Sequence, residues 1–294
     1  MILDILTYAV LGIMTGGLYA LLGLSLNLIF GVMRVINVAH GEMLTLGAYT
    51  AVLFATVGIG GPLLSVVPAI LVVTLAGLII ARVLIRPLTV DGRVHEQRGM
   101  VMSLGLSLFL SNAVLAIFGP NYQRVPGLMV RGAIEIGDLV LEGQRLVILG
   151  GSLVLATALM LFLRFTLLGL AMRAVAENPE AAQANGVSVP RIHLITFGLG
   201  SALAGAAGAL ITPVTYAFPA MGFTYTMYAF ITVIIGGLGS VWGAVLAGFL
   251  LGIAESLSVI WLTTGYNAIV GPALMLLTLV LRPQGLLGQR LARA

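Results

Sequence analysis

Apolar stretches of about 20 residues follow one another along the whole chain, near 5–30, 36–58, 62–84, 99–118, 146–164, 192–216, 224–239, 241–262 and 266–281. Helices of that length match the hydrocarbon thickness of a bilayer, where each backbone N–H and C=O must find a partner inside the protein. With 60% hydrophobic and only 8% charged residues among 294, the chain has too little polar surface to cover a water-soluble globule. A β-barrel is excluded because the runs lack strict two-residue alternation. The expected fold is therefore all-α and polytopic, with about 8–9 transmembrane helices in a single domain over 1–294, the short seventh run leaving the number open. Thirty-eight glycines and 7% aromatics point to helices that pack closely on small residues. Without cysteine there is no disulfide, thiol chemistry or thiolate metal site. No cofactor, metal site or catalytic group is expected.

The basic residues are all arginines, and they report topology. With the N terminus outside, nine spans put Arg34, Arg82, Arg86, Arg93, Arg98, Arg164, Arg173, Arg191, Arg282, Arg290 and Arg293 on one side and only Arg124, Arg131 and Arg145 on the other. That asymmetry makes loops 85–98 and 165–191 cytoplasmic. It also accounts for the net charge of +4 without invoking a nucleic-acid partner. The loop 119–145 balances its three arginines with Glu135, Asp138 and Glu142, and its Pro and Gly residues suggest short strands or turns outside. The start, MILD, lacks the basic region of a signal peptide, so none is expected.

The most legible segment is cytoplasmic, MRAVAENPEAAQANGVSVPR. Asn178 suits an N-cap, Pro179 the first helical position, Glu180 the anion-favouring first turn and Gly186 a left-handed C-terminal position. Together they define a helix of about seven residues, too short to persist alone in water. Ala181, Ala182 and Ala184 leave its backbone approachable by a partner's groove, although resting on its own membrane domain would serve as well. Arg173 is placed to pair with Glu177 one turn on.

Glu180-Ala181-Ala182, three residues and Gly186 resemble the EAA-xxx-G signature of ABC importer permeases. INVAHGEMLTLGAY, RAVAENPEAAQANGV, VIIGGLGSVWGAVLAGFLLGIAES and LRPQGLLG, in that order over nearly the whole chain, resemble the branched-chain amino acid permease family, its LivH-type subunit. The resemblance implies a permease in the bacterial inner membrane, paired with a second homologous permease. Such a pair sits on two cytoplasmic ATP-binding subunits and receives substrate from a periplasmic or lipoprotein binding protein. It also makes the 179–185 helix a coupling helix, with Arg173, Glu177, Asn178, Pro179, Glu180, Ala181, Ala182 and Gly186 at the ATPase contact. The chain has no GxxxxGK[ST] phosphate loop, so active transport would draw on other subunits. Branched-chain or other apolar amino acids are the expected substrates; urea, short amides and small aromatic acids stay open, as does an ion-coupled secondary transporter relying on Glu42 or Glu255. A non-transporting membrane scaffold would need none of these features.

Polar residues inside the spans raise a second question, since an ionisable group at membrane depth costs roughly 2.5–3.5 kcal/mol on insertion scales. Helical spacing places Asn37, His40, Gly41 and Leu44 on one face of the second span and Glu42, Thr45 and Tyr49 on another. Near the cytoplasmic face beside Arg34, Asn37, His40, Gly41 and Glu42 either line a translocation path or bond helices together. Asn27 and Glu255 pose the same choice, with helix-to-helix hydrogen bonds the simpler role. Gly236, Ser240, Ala244, Gly248 and Gly252 recur every four residues, with Gly239, Gly243 and Ala247 alongside and Gly12, Gly16 and Ala20 in the first span. They suit a close packing seam, unless Gly236, Gly237 and Gly239 break the helix and offer backbone to the path.

The sidedness is directly testable. Single cysteines introduced into 119–145 should react with a membrane-impermeant maleimide in intact cells; labelling only after lysis would invert the topology.

Overall fold

The computed structural model describes residues 2–58, 61–90, 93–94, 96–125, 133–136, 139–262 and 266–288. Residues 126–132 and 137–138 of the loop 119–145, with Arg131 and Asp138, lie outside the described residues, as do Arg290 and Arg293. The helices are α1 (Ile2–Met33), α2 (His40–Thr56), α3 (Gly61–Leu64), α4 (Val66–Ile80), α5 (Glu96–Phe118), α6 (Gly143–Phe165), α7 (Leu167–Glu177), α8 (Pro179–Ala184), α9 (Val189–Ile211), α10 (Met221–Gly236), α11 (Val241–Ser258) and α12 (Val270–Leu281). A π-turn at Ala81–Ile85 and a 3-10 turn at Arg86–Leu88 extend α4, and a 3-10 turn at Asn267–Ile269 precedes α12. Two antiparallel ribbons complete the chain. β1 (Thr89–Val90) pairs with β2 (Arg93–Val94), and β3 (Ala133–Ile136) with β4 (Leu139–Glu142), the latter in the loop 119–145 where turns and short strands are expected.

Each of the nine apolar runs holds a helix, but they are not equivalent. Among the described residues six helices are long and apolar enough to cross a membrane, while α10 and the α12 region are shorter and α2 has 17 residues. Within the best windows of α1 and α9, 72% and 78% of residues are buried, against 22–33% for the other four long helices. Hence α1 and α9 form the interior and the others turn wide apolar faces outward, which in a bilayer meet lipid or a partner chain.

Small residues set the closest approaches. Gly12 and Gly16 of α1 face Gly252 and Phe249 of α11 so closely that a Cβ on Gly12 would lie 2.6 Å from the Ile253 Cα, and one on Gly16 2.8 Å from the Phe249 Cα. The two glycine series thus meet in one seam. On α9, Gly205 packs against Val73 of α4 and Gly208 against Leu44 of α2. No hydrophobic effect drives helices together in lipid, so the gain comes from contacts that only backbones this close can make.

The second span departs from expectation. Residues 34–37 are not helical, and α2 starts only at His40. Arg34 ends α1 with a left-handed φ of 54°, a conformation costly for a residue with a Cβ. The chain then runs inward, so α2 is wrapped by α9, α10, α4 and α5.

The seam predicts opposite effects at two glycines. Gly248→Leu must push into the Ala20 backbone and should lower stability by at least about 1–3 kcal/mol, as overpacking does. Gly105→Ala, with nothing within 4 Å of its Cβ in mid-α5, should raise it by about 0.5–1 kcal/mol. Thermal unfolding of the detergent-purified protein distinguishes them.

Candidate functional site

Two short helices begin at one buried point. Glu42 is the third residue of α2, and its carboxylate lies over Gly222, the second residue of α10, where a Cβ would come within 2.6 Å of the Glu42 Cδ. The acid therefore sits at two helix N-termini, whose partial positive charge favours an anion. Ser107 of α5 donates to Glu42 Oε1 at 3.1 Å. Ser107 is the middle residue of α5, eleven residues from either end, so the carboxylate is held against the centre of that helix.

The neighbouring groups close the two helix ends. Thr226 of α10 accepts from Gly41 N at 2.9 Å and donates to its own Gly222 O at 2.9 Å. Asn37 does not share a helical face with His40, Gly41 and Leu44; it precedes α2 in a local turn, its Oδ1 accepting from Ala39 N at 3.1 Å. His40 is fully buried, with Nε2 2.7 Å from the Ser25 hydroxyl of α1, which itself donates to Leu22 O at 2.8 Å. One ring nitrogen is thus held by the Ser25 hydroxyl. Asn37 Nδ2, His40 Nδ1 and Glu42 Oε2 all lack a hydrogen-bond partner among the described residues. Unfilled buried polar atoms cost about 1–3 kcal/mol each, so three within six residues mark a place built for more than packing. Beside them Asn37 borders a small apolar recess formed by Ile29, Met33, Met102, Leu106 and Phe197.

Serines of α5 are the part that sequence reasoning missed. Ser103, Ser107 and Ser111 recur every four residues and bind Val38 N, Glu42 and the Pro219 carbonyl. Their spacing was a readable signal, but serine in an apolar helix commonly bonds its own preceding turn.

The glycine turn between α10 and α11 is enclosed by protein. Gly237 and Gly239 have φ of 102° and 84°. Asn27 Oδ1 accepts from Gly239 N at 2.7 Å while Asn27 Nδ2 donates to Ser240 O at 2.7 Å. The carbonyls of Ile235 and Gly236 accept from Leu286 and Leu287 N, at 2.8 and 3.1 Å. Asn27 and Glu255 both make the helix-to-helix hydrogen bonds expected of them, Glu255 with Tyr19.

At α8 the capping signals are realised. Asn178 Oδ1 accepts from Ala181 N at 3.0 Å, Pro179 opens α8, and Gly186 takes a φ of 85°. Val187 N donates to Ala182 O at 3.0 Å and Gly186 N to Gln183 O at 2.9 Å, the paired bonds of a Schellman turn. Glu180, Ala181 and Ala184 are exposed, whereas Ala182 is buried against the chain's own core, so one of the three alanines is not available to a partner. The Arg173–Glu177 pair is not formed. Arg173 turns to the Arg164 carbonyl at the C-terminus of α6, 3.5 Å away, where exposed carbonyls attract a cation. Unanticipated in the sequence was α7, capped by Thr166 and buried through Gly169, Met172 and Val175.

Comparison with known proteins agrees with this geometry. The model of the branched-chain amino acid transport system permease component matches residues 8–279. The chain belongs to that family. It is 32% identical over 291 residues to the high-affinity branched-chain amino acid transport system permease protein LivH of Salmonella typhimurium, covering 95% of this chain and 94% of that protein. It is also 32% identical over 292 residues to BraD of Pseudomonas aeruginosa, with the same coverage. LivM of Salmonella typhimurium is 28% identical, over 92% of this chain and 68% of its own length. No solved structure matches.

Transport assays and melting curves separate two roles for the buried junction. If it contacts substrate, His40→Ala and Glu42→Gln should reduce uptake with complex assembly and basal ATP hydrolysis intact. If it only ties α1, α2, α5 and α10 together, the same variants should instead lose about 1–2 kcal/mol of stability.

Proposed function

We propose that this chain is the membrane permease of an ABC importer for branched-chain or other apolar amino acids. The observation that carries the reading is α8. A six-residue helix has little stability of its own, yet this one is fixed by a side-chain cap and a Schellman turn and leaves Glu180 in solvent. Rigid and exposed at the predicted cytoplasmic side, it suits a lever seated in an ATPase cleft. Asn178, Pro179 and Gly186 shape it, Glu180, Ala181 and Ala184 face the ATPase, and Ala182 anchors it. Arg173 and Glu177 belong to its support in α7.

In this reading a second homologous permease pairs with the chain, and two cytoplasmic ATP-binding subunits drive it. The existence of LivH-like and LivM-like relatives, both named as permeases of high-affinity branched-chain amino acid transport systems, favours an unlike pair. A periplasmic or lipoprotein binding protein delivers substrate to the outer loop 119–145, and the assembly lies in the bacterial inner membrane. The chain acts as one permease domain without covalent chemistry. Asn37, His40, Gly41 and Glu42 lie along the route, opened when closure of the ATPases moves α8. Gly236, Gly237 and Gly239 form the rigid turn that lets α10 and α11 move as one.

The test is at α8. A Cβ on Gly186 meets nothing within 4 Å, so Gly186→Val acts only through its left-handed backbone, where a β-branched residue is strongly disfavoured; Gly186→Asn is the tolerated control. Glu180→Lys reverses charge at the helix N-terminus. Both disruptive variants should insert at normal levels and lose the ATPase subunits on purification, or lose substrate-stimulated hydrolysis. Full uptake with intact stimulation in both, or uptake driven by an ion gradient without ATP, overturns the reading.

A further inference from the structure

Glu255 of α11 is a half-buried carboxylate among tyrosines. Tyr19 of α1 donates its hydroxyl to Glu255 Oε2 at 2.8 Å, and its ring stacks on Tyr228 of α10 at 4.8 Å with planes 19° apart. Tyr225 stands 6.3 Å from Tyr228. One carboxylate oxygen is thus fixed in direction. The other, Oε1, is buried without a hydrogen-bond partner among the described residues and faces Gly271 of α12, where a Cβ would lie 3.5 Å away.

The surroundings supply no countercharge. The helices packed around it, α1, α10, α11 and α12, contain no arginine, lysine or histidine. Buried charges are ordinarily paired, and an unpaired one is costly. The carboxylate with the free oxygen lies beside the stacked Tyr19–Tyr228 pair, and an acid next to aromatic rings is a combination that attracts an organic cation by charge and by cation–π contact. Metal ions of the calcium or magnesium kind need several oxygen ligands, and no group of three acidic, histidine or cysteine side chains occurs among the described residues. Tyr225 and Tyr228 are half-buried beside the exposed Phe223 and Met227, so the cluster reaches the surface along α10.

We propose that Glu255 Oε1, with the rings of Tyr19 and Tyr228, binds a primary ammonium group, and that the ammonium is that of the transported amino acid. The ligand's identity rests on the function proposed above; the site itself rests on geometry. Such a contact would distinguish an amino acid from its deaminated analogue within the permease, after any selection by a binding protein.

The assembled transport complex, purified without binding protein, is titrated with 3-methylbutylamine and with 4-methylpentanoate while its melting temperature is followed. The amine should raise the melting temperature and the acid should not. Glu255→Gln should weaken the amine's half-saturating concentration by about tenfold or more, the worth of a charge-assisted hydrogen bond, and Glu255→Asp should restore part of it. A role confined to bonding α1 to α11 would lower the melting temperature of Glu255→Gln without changing the amine titration, and would overturn the proposal. So would no response to the amine, or a response to NaCl over KCl that replaces it. Should Glu255→Gln not assemble, Tyr228→Leu against Tyr228→Phe decides: only loss of the ring should weaken the amine. ATP-driven leucine uptake by the wild-type complex is measured in parallel. Uptake without an amine response defeats this inference alone; absent uptake defeats the functional reading, and with it the ligand's identity as the transported amino acid.

Discussion

A helix that ends inside hydrocarbon leaves backbone groups that only protein can satisfy, and this chain has several such ends. The start of α2 takes its acceptors from Asn37 and Thr226. The turn between α10 and α11 is held by Asn27 on one side and by the backbone of Leu286 and Leu287 on the other. Each closure uses a residue distant in sequence, so helices α1, α2, α5, α10 and the C-terminal segment are fixed relative to one another by polar bonds. Elsewhere the bundle packs through glycine and alanine. The polar bonds define registry where packing between smooth small-residue surfaces would allow sliding.

Much of this was legible because its physics is local. Runs of about 20 apolar residues announce helices, and the Asn178, Pro179 and Gly186 signals announce α8, since a cap and a Schellman turn involve residues within one or two turns. The glycine spacing in the first span and in α11 announced a seam, though not that the two would meet. What was not legible depends on distant partners. Nothing near Arg34 signals a left-handed end to α1, because glycine is the residue that ordinarily does so. The second apolar run therefore suggests one helix from 36, whereas α2 begins at His40. Ser107, the hydroxyl that bonds Glu42, lies 65 residues away. Similarly, the choice of Arg173 between Glu177 and the end of α6 depends on how α7 folds back, which helical spacing within one segment cannot say.

The α7–α8 segment and the buried junction are joined by a short path. Arg34 ends α1, begins the non-helical run to Asn37 and donates from its guanidinium to Ala176 O at 3.3 Å, two residues before the Asn178 cap. An exposed hydrogen bond of that length contributes little energy. The geometric link is more consequential: a residue held at φ 54° connects the loop that carries α8 to the run that carries Asn37, His40 and Glu42, so displacement at one end is not absorbed by a flexible linker.

The two carboxylates inside the spans are alike in sequence and unlike in structure. Glu42 is surrounded by compensation: the N-terminus of its own helix, that of α10 and the Ser107 hydroxyl all favour its charge. Glu255 is near the C-terminal end of α11, where the helix dipole opposes an anion, and its sole protein hydrogen bond among the described residues comes from Tyr19. The first acid is balanced by the fold and can hold α2, α5 and α10 together without any further charge. The second has no such compensation among the described residues, and the ammonium proposed above would supply it.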